Sequence, residues 1–588
     1  MKYLTTIKTG ILAALCCLAG CKEEALVAEV PAPGEGNSVP TGETRFVLPD
    51  AEGTNAHIWN GEDIQFELRR GTNDDKEITA AFDTSEETLD AMTAKYAEMK
   101  GINLFKLLRT ESYELPQTII LAPSEQSVPV TVKIKDVEEG TFVLPLVLKS
   151  GEKELGVQFV EVIKHPAADF DMAWLDRTPS VTEPRLIAII ETAENDLRNA
   201  GNYVLYPNGT AQPETRRPLF DMTVIFSANM NWDAINGKPV LYYNESVRRI
   251  LDNRDVFVKP LQDKGIKVLL SIMPNHQAIG FSNLDITGER TMIKDFASDI
   301  HEAVTQYGLD GVMFDDEYAN YPETAESEQP GRPMIQMGSF HFLIKELRDL
   351  MPLVEGQAWK DRHNLITLYN TGPFTNGTTG NGWCLFSNKF DLIKNETDGW
   401  EDERATGPIA EDKKAVREWV KNPANQPVLD EIAQIKVGEL LDFIWNDNYT
   451  RARTHKDSST GKTEDTWIAG LYDGVNAEEK FGAASLEMSL EADYTIKHVR
   501  RFWESDGTEG GRIESVPASL NVQKTGGFQS LICFNLQYVP DTWNDAPFAD
   551  LYLNDFENMI LPGLGNTNSP EVRFEGTNYD TVISSYLK

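Results

Sequence analysis

The chain has 588 residues, a formal net charge of −37, eight histidines and five cysteines. So acidic a chain suits nucleic acid poorly, because phosphate binding needs clusters of Lys and Arg. A chain this long can bury ample core without disulfides, and no CxxC or His-rich spacing marks a metal site. Neither metal nor cofactor is expected.

Lys2 and Lys8 precede an apolar stretch from Ile11 that is too short to remain as a membrane span and ends in Leu18-Ala19-Gly20-Cys21. That ending resembles the lipobox of bacterial lipoproteins. The resemblance implies removal of residues 1–20, acylation of Cys21 and attachment to a membrane through lipid alone; the alternative is an ordinary secretory signal with a chance cysteine. Lys22-Glu23-Glu24 is similar to the acidic tag that sends lipoproteins to the outer face in some Gram-negative gut bacteria. An outer-membrane lipoprotein displayed at the cell surface is therefore expected. Beyond Cys21 only Cys384 and Cys533 remain, so no disulfide scaffold is in view. Residues 21–42, rich in Glu, Pro, Gly and Ser, read as a flexible tether.

From 43 to 165 short runs alternate apolar and polar residues, as in Ile64-Gln65-Phe66-Glu67-Leu68, Val128 to Ile134 and Thr141 to Leu148. With turn residues between them, these runs predict a small all-β sandwich, with one helix at about 86–97. Such a module reads as a spacer or glycan-positioning unit, or as a plain structural pedestal.

Residues 166–588 read differently, because apolar runs now alternate with helical periodicity. Candidate strands fall near 186–191, 222–227, 266–272, 309–315, 365–370, 440–446, 467–472 and 531–536. Between the fourth strand and the one before it, Ile293, Phe296, Ala297, Ile300 and Val304 form a helical stripe, with Asp285 or Thr287 as possible caps and Gly308 as its close. Strand–helix alternation implies parallel strands with right-handed crossovers, and eight of them predict a (β/α)8 barrel. The active face of such a barrel lies at the carboxyl ends of its strands. Two long inserts, about 373–438 and 447–466, are then the loops that would select the substrate.

The most informative segment is Leu309-Asp310-Gly311-Val312-Met313-Phe314-Asp315-Asp316-Glu317-Tyr318. Side chains alternate along a strand, so Met313, Asp315 and Glu317 share a face and Asp316 points away, which suits a structural role. Two carboxyl groups held a few ångströms apart in a partly dry site do not both ionise easily, so one keeps a proton to donate. Breaking a glycosidic bond requires such a group. Asp310 and Gly311 read as packing and turn residues.

This segment resembles the D-G-x-D-x-D-x-E signature of glycoside hydrolase family 18. The likeness is closest to endo-β-N-acetylglucosaminidases of the endoglycosidase H type and extends, in order, through Leu186–Glu191, Val224–Asn231, Asn275-His276-Gln277, Leu368–Pro373, Phe443–Asn446 with Tyr449, and Phe534-Asn535-Leu536. The resemblance implies hydrolysis of the chitobiose core of N-glycans on glycoproteins by a monomeric enzyme. Glu317 would be the general acid and base, and the sugar's 2-acetamido carbonyl would be the nucleophile. Asp315 would orient the acetamido N–H. Tyr449 or Asn446 would hold the acetamido oxygen, although the family usually has an aromatic where Asn448 stands. Asn275, Tyr318, Asn229 and Tyr369 are the remaining candidates for sugar contact, Asn275 against a plain structural role and Tyr318 against sealing the cleft. Trp232, Trp383 and Trp400, in predicted loops, either stack on sugar rings or anchor those loops. Met313 stands where the family has its first aspartate, a departure that leaves a chitinase and a non-catalytic glycan-binding protein as alternatives.

Overall fold

The computed structural model describes residues 39, 43–47, 56–58, 63–71, 76–165, 170, 172–177, 185–193, 196–208, 210–274, 279–316, 331–353, 357–370, 416, 418–446, 480–488, 528–533, 571–576 and 579. The chain divides into two compact units, residues 1–165 and 166–588. The signal, Cys21 and nearly all of the tether lie outside the described residues, and among those described no helix is long and apolar enough to cross a membrane.

Among the described residues the first unit has ten strands: β1 (Thr44–Val47), β2 (Ala56–Ile58), β3 (Asp63–Arg70), β4 (Ile78–Phe82), β5 (Lys106–Leu107), β6 (Tyr113–Glu114), β7 (Ile119–Leu121), β8 (Ser127–Ile134), β9 (Gly140–Ser150) and β10 (Lys153–Lys164). One sheet runs β1-β3-β8-β6 and the other β2-β10-β9-β4-β7, with β5 added against β9. Alternation in β3 and β8 turns Phe66, Leu68, Val130 and Val132 to one side, where they meet Leu144, Leu146 and Leu148 of β9 in a common core. The outer face of the second sheet is also dry. There the helix Glu86–Lys100 lays Tyr96 on Phe159, ring centroids 4.7 Å apart, and the Tyr96 hydroxyl and the Lys100 ammonium both engage the buried Glu161 carboxylate.

The second unit contains a closed barrel. Its eight strands are β11 (Arg185–Glu191), β14 (Met222–Asp233), β16 (Lys267–Pro274), β17 (Gly311–Asp315), β18 (Leu365–Asn370), β19 (Phe443–Asn446), β20 (Phe481–Met488) and β21 (Phe528–Cys533). Each pairs in parallel with its neighbours, and β21 returns to β11 so that no edge is left. A short antiparallel strand, β15 (Lys238–Tyr242), extends β14 as a hairpin. Inward-pointing Ile187, Ile189, Val224, Leu269, Met313 and Phe443 fill the interior as one cluster. Another small sheet, β12 (Tyr203–Tyr206) between β13 (Arg217–Pro218) and β22 (Glu571–Phe574), brings the end of the chain back against the segment that follows β11.

Two sequence expectations need correction. The seventh strand is Phe481–Met488 rather than 467–472, which lie outside the described residues. Phe481-Gly482-Ala483-Ala484-Ser485-Leu486-Glu487-Met488 has no β-branched residue and a register slip between Gly482 and Ser485, so nothing in its pattern announced a strand. The helix Thr291–Gln306 is also not capped by Asp285 or Thr287. Its N-cap is Arg290 in a left-handed conformation, and Asp285 spends its carboxylate on the Thr287 N–H and hydroxyl within its own turn.

The floor of the barrel repeats one device. Asp221, Asp310 and Asp442 each stand one residue ahead of a strand, and each accepts the backbone N–H of the preceding strand, from Leu186 at 2.8 Å, Val268 at 2.9 Å and Ile366 at 2.7 Å. The same three residues donate their own N–H groups back to those strands. Cations close each site: Arg177 and Arg185 at Asp221, Lys267 at Asp310, Arg348 and Arg362 at Asp442. Strand pairs 1–2, 3–4 and 5–6 are thereby pinned at their amino ends, away from the active face. Asp310, which the sequence suggested was a packing residue, is thus also an ion-pair partner. Gly311 follows it at φ 154°, where a Cβ would lie 2.1 Å from the Leu365 carbonyl oxygen. Gly311→Ala is expected to cost about 3 kcal/mol of unfolding free energy, read from a urea titration; an unchanged midpoint would show that β17 and β18 can separate freely.

Candidate active site

Asp315 is the last residue of β17, at the carboxyl end of the fourth barrel strand, and is fully buried. It shares a face with Met313, which is packed in the interior cluster, so its carboxyl group points into the barrel above that methionine. Its register partner on β18 is Tyr369, a buried member of the same cluster. Tyr369 pairs in turn with Trp445, and Asn370 with Asn446, on β19. The structure thus places Asp315, Tyr369 and the Asn446 backbone on three successive strands at one end of the barrel.

Asn229 reaches this face by a different route. The register of β14 against β16 slips between Ile225 and Ala228, which sets Asn229 opposite Met273 on the side shared by Leu269 and Ser271. Its amide donates to the Met273 carbonyl at 3.4 Å, and it is only 5% exposed. Glu317, Tyr318, Asn275 and Tyr449 lie outside the described residues, as do the side chain of Asn446, the other two candidate tryptophans and the two long inserts apart from 416 and 418–438. Trp232 lies not in a loop but near the end of β14, at 7% exposure, so it anchors the hairpin and offers no open ring for a sugar. Asp316 faces away from the interior as expected, fully buried, with the Phe281 N–H 3.5 Å from its Oδ1.

Sequence reasoning passed over Ser271. It sits in register with Met313, and among the described residues its buried hydroxyl finds no hydrogen-bond partner. The signal was a lone hydroxyl inside the apolar run Val268-Leu269-Leu270-Ser271-Ile272. Among the described residues no group of His, Cys, Asp and Glu is placed to hold a metal ion.

Residues 53–155 match a family model described as "-like, N-terminal domain". The chain is 36% identical over 218 residues, 37% of its length, to an endo-β-N-acetylglucosaminidase of a Flavobacterium species, of which it covers 60%. It is 42% identical over 137 residues, 23% of its length, to endo-β-N-acetylglucosaminidase F1 of Elizabethkingia meningoseptica, of which it covers 37%. The chain therefore spans less than two thirds of either curated relative. Among solved structures, Bacteroides thetaiotamicron EndoBT-3987 with Man5GlcNAc product aligns over 90% of this chain and 96% of that one, at 16% identity and a TM-score of 0.38. Over the aligned 218 and 137 residues the chain is thus similar in sequence to two proteins named endo-β-N-acetylglucosaminidase, in agreement with the expectation raised by the Asp315–Glu317 segment.

Proposed function

We propose that the protein is an endo-β-N-acetylglucosaminidase that hydrolyses the β-1,4 bond of the N,N'-diacetylchitobiose core of N-glycans, leaving one N-acetylglucosamine on asparagine. The observation that carries this reading is Asp315, buried and turned into the mouth of a closed eight-stranded barrel, two residues before Glu317, in a chain with relatives of that name. Glu317 protonates the departing glycosidic oxygen while the substrate's own 2-acetamido carbonyl oxygen bonds to the anomeric carbon. Asp315 accepts from the acetamido N–H and stabilises the positive charge of the resulting oxazolinium ion. Glu317, now a carboxylate, removes a proton from the water that opens that ring, restoring the acid. Asn446 or Tyr449 holds the acetamido oxygen and Asn275 and Tyr318 contact the sugar, while Asn229 and Tyr369, 5% and 1% exposed, are too buried for sugar contact and shape the wall of the site instead.

Met313 supports a narrower version of the mechanism. With a buried thioether where a carboxyl group would stand, Asp315 works without a second acid beneath it. A parallel assay of a high-mannose glycoprotein and a chitin oligomer tests the substrate. Release from the glycoprotein is expected, and turnover of chitin alone would replace this reading with that of a chitinase.

The protein works, in this account, at the outer surface of an outer membrane, anchored through Cys21 as a monomer. In cells fed a labelled fatty acid, Cys21→Ala should lose the label and pass into the soluble fraction. Retained label would end the lipoprotein assignment.

A further inference from the structure

Asp315 is held from both sides by one residue. Phe314 and Asp316, its two neighbours in the chain, point away from the barrel interior, and both meet Phe281 of the loop that follows β16. The Phe281 ring stands edge-on to Phe314 at 5.1 Å between centroids, both rings touch Phe340, and the Phe281 N–H faces the Asp316 carboxylate. A fully buried carboxylate on the outer side of a strand end is costly to desolvate and contributes nothing there to the chemistry of the mouth.

The loop bearing Phe281 is itself fixed. Asn283 Oδ1 accepts the Gly280 N–H at 2.9 Å and its Nδ2 donates to the Pro333 carbonyl at 3.0 Å. Ser282 O accepts the Gln336 N–H at 2.8 Å, and the Ser339 hydroxyl donates to the Leu284 carbonyl at 2.6 Å. Residues 280–284 therefore bind the chain at Asp316, just before the segment 317–330, and again at 333–339, just after it.

We propose that Asp316 is a positioning residue for the reaction: through Phe281 and the 280–284 loop it fixes the direction in which Asp315 is presented to the sugar. This rests on the assignment of Asp315 as the residue that orients the acetamido group. Misplacement of a reacting group by about 1 Å costs on the order of a hundredfold in rate, so the effect belongs in kcat and not in KM.

The test measures kcat and KM on a glycopeptide with a single N-glycan for wild type, Asp316→Ala, Asp316→Asn and Asn283→Ala, with a melting curve for each. Asp316→Ala and Asn283→Ala should lower kcat by about ten- to a hundredfold with KM within about twofold. Asp316→Asn should recover most of the loss, since its carboxamide oxygen accepts the same Phe281 N–H. A folded Asp316→Ala or Asn283→Ala with wild-type kcat, or a loss confined to KM or to melting temperature, overturns the proposal while leaving the glycosidase reading in place. A wild type without turnover would overturn both. Should Asp316→Ala not fold, Asn283→Ala decides the question alone, because it loosens the loop without touching β17.

Discussion

Glu317→Gln is expected to lower glycan release by about a thousandfold while leaving glycan affinity within a few fold of wild type. The carboxamide keeps the size and most hydrogen bonds of the carboxyl group but has no proton to give to the leaving oxygen and no charge with which to activate water. A sugar alkoxide is a poor leaving group, so loss of the acid should fall on the first chemical step. Release is measured by mass spectrometry of freed glycan, and affinity by calorimetry with the inactive variant. Because the working form of Glu317 is protonated in that step, the wild-type rate should fall on the alkaline side, and the variant should lack that limb. A variant that retains a tenth or more of the wild-type rate would remove Glu317 from the chemistry and leave a different group to be found.

Asp221→Ala should have the largest effect on stability, about 3–5 kcal/mol. The Asp221 carboxylate is fully buried and takes Arg177 at 2.7 and 2.9 Å, Arg185 at 3.0 Å and the Leu186 N–H. Removing it leaves two guanidinium groups without their buried counter-charge and a strand amide without its acceptor. Arg185 is the more exposed to this loss in energetic terms, since burial already pushes its own pKa down to about 10 against the opposing pull of Asp221. Burial alone would raise the pKa of Asp221, but Arg177 and Arg185 override it and hold the carboxyl below its ordinary value of 3.8. A folded-state pKa below the unfolded one stabilises the protein at every pH above the unfolded value, and that contribution is lost as pH falls through the lower, folded value. The gap between wild type and Asp221→Ala in urea titrations should accordingly be constant from neutral pH down to about 5 and narrow below 4. A gap that instead widens under acid would mean that the ion cluster does not hold the floor of the barrel.

The barrel was legible because a parallel strand buried on both faces leaves a continuous apolar run, as Leu186–Ile190, Val268–Leu270 and Val312–Phe314 do. Phe481–Met488 does not, since its first half is Gly482-Ala483-Ala484-Ser485 after a single Phe and it is placed by its pairing with β19 and β21 on either side. The aspartates of the floor were visible as residues between apolar neighbours, Phe220-Asp221-Met222, Leu309-Asp310-Gly311 and Leu441-Asp442-Phe443. Their common role was not, because it depends on which strand lies alongside. Asp315 could be placed from its spacing alone, and the outward turn of Asp316 followed from the same alternation. The grip of Phe281 on both neighbours of Asp315 could not be read, since residues 281 and 316 meet only after the β16 loop has folded back. Trp232 was misread for a similar reason: the hairpin that carries β14 past the barrel wall turns what looked like a loop residue into a buried one.

The central claim is that one N-acetylglucosamine remains on asparagine after the sugar's own amide has displaced the rest of the glycan. Mass spectrometry of a glycoprotein with a single occupied site, before and after incubation with the enzyme, measures this directly. The account predicts that the protein product carries a single N-acetylglucosamine and that the released glycan ends in the other. Binding of the glycoprotein with its full mass retained, or trimming of the glycan from its outer end, would contradict it.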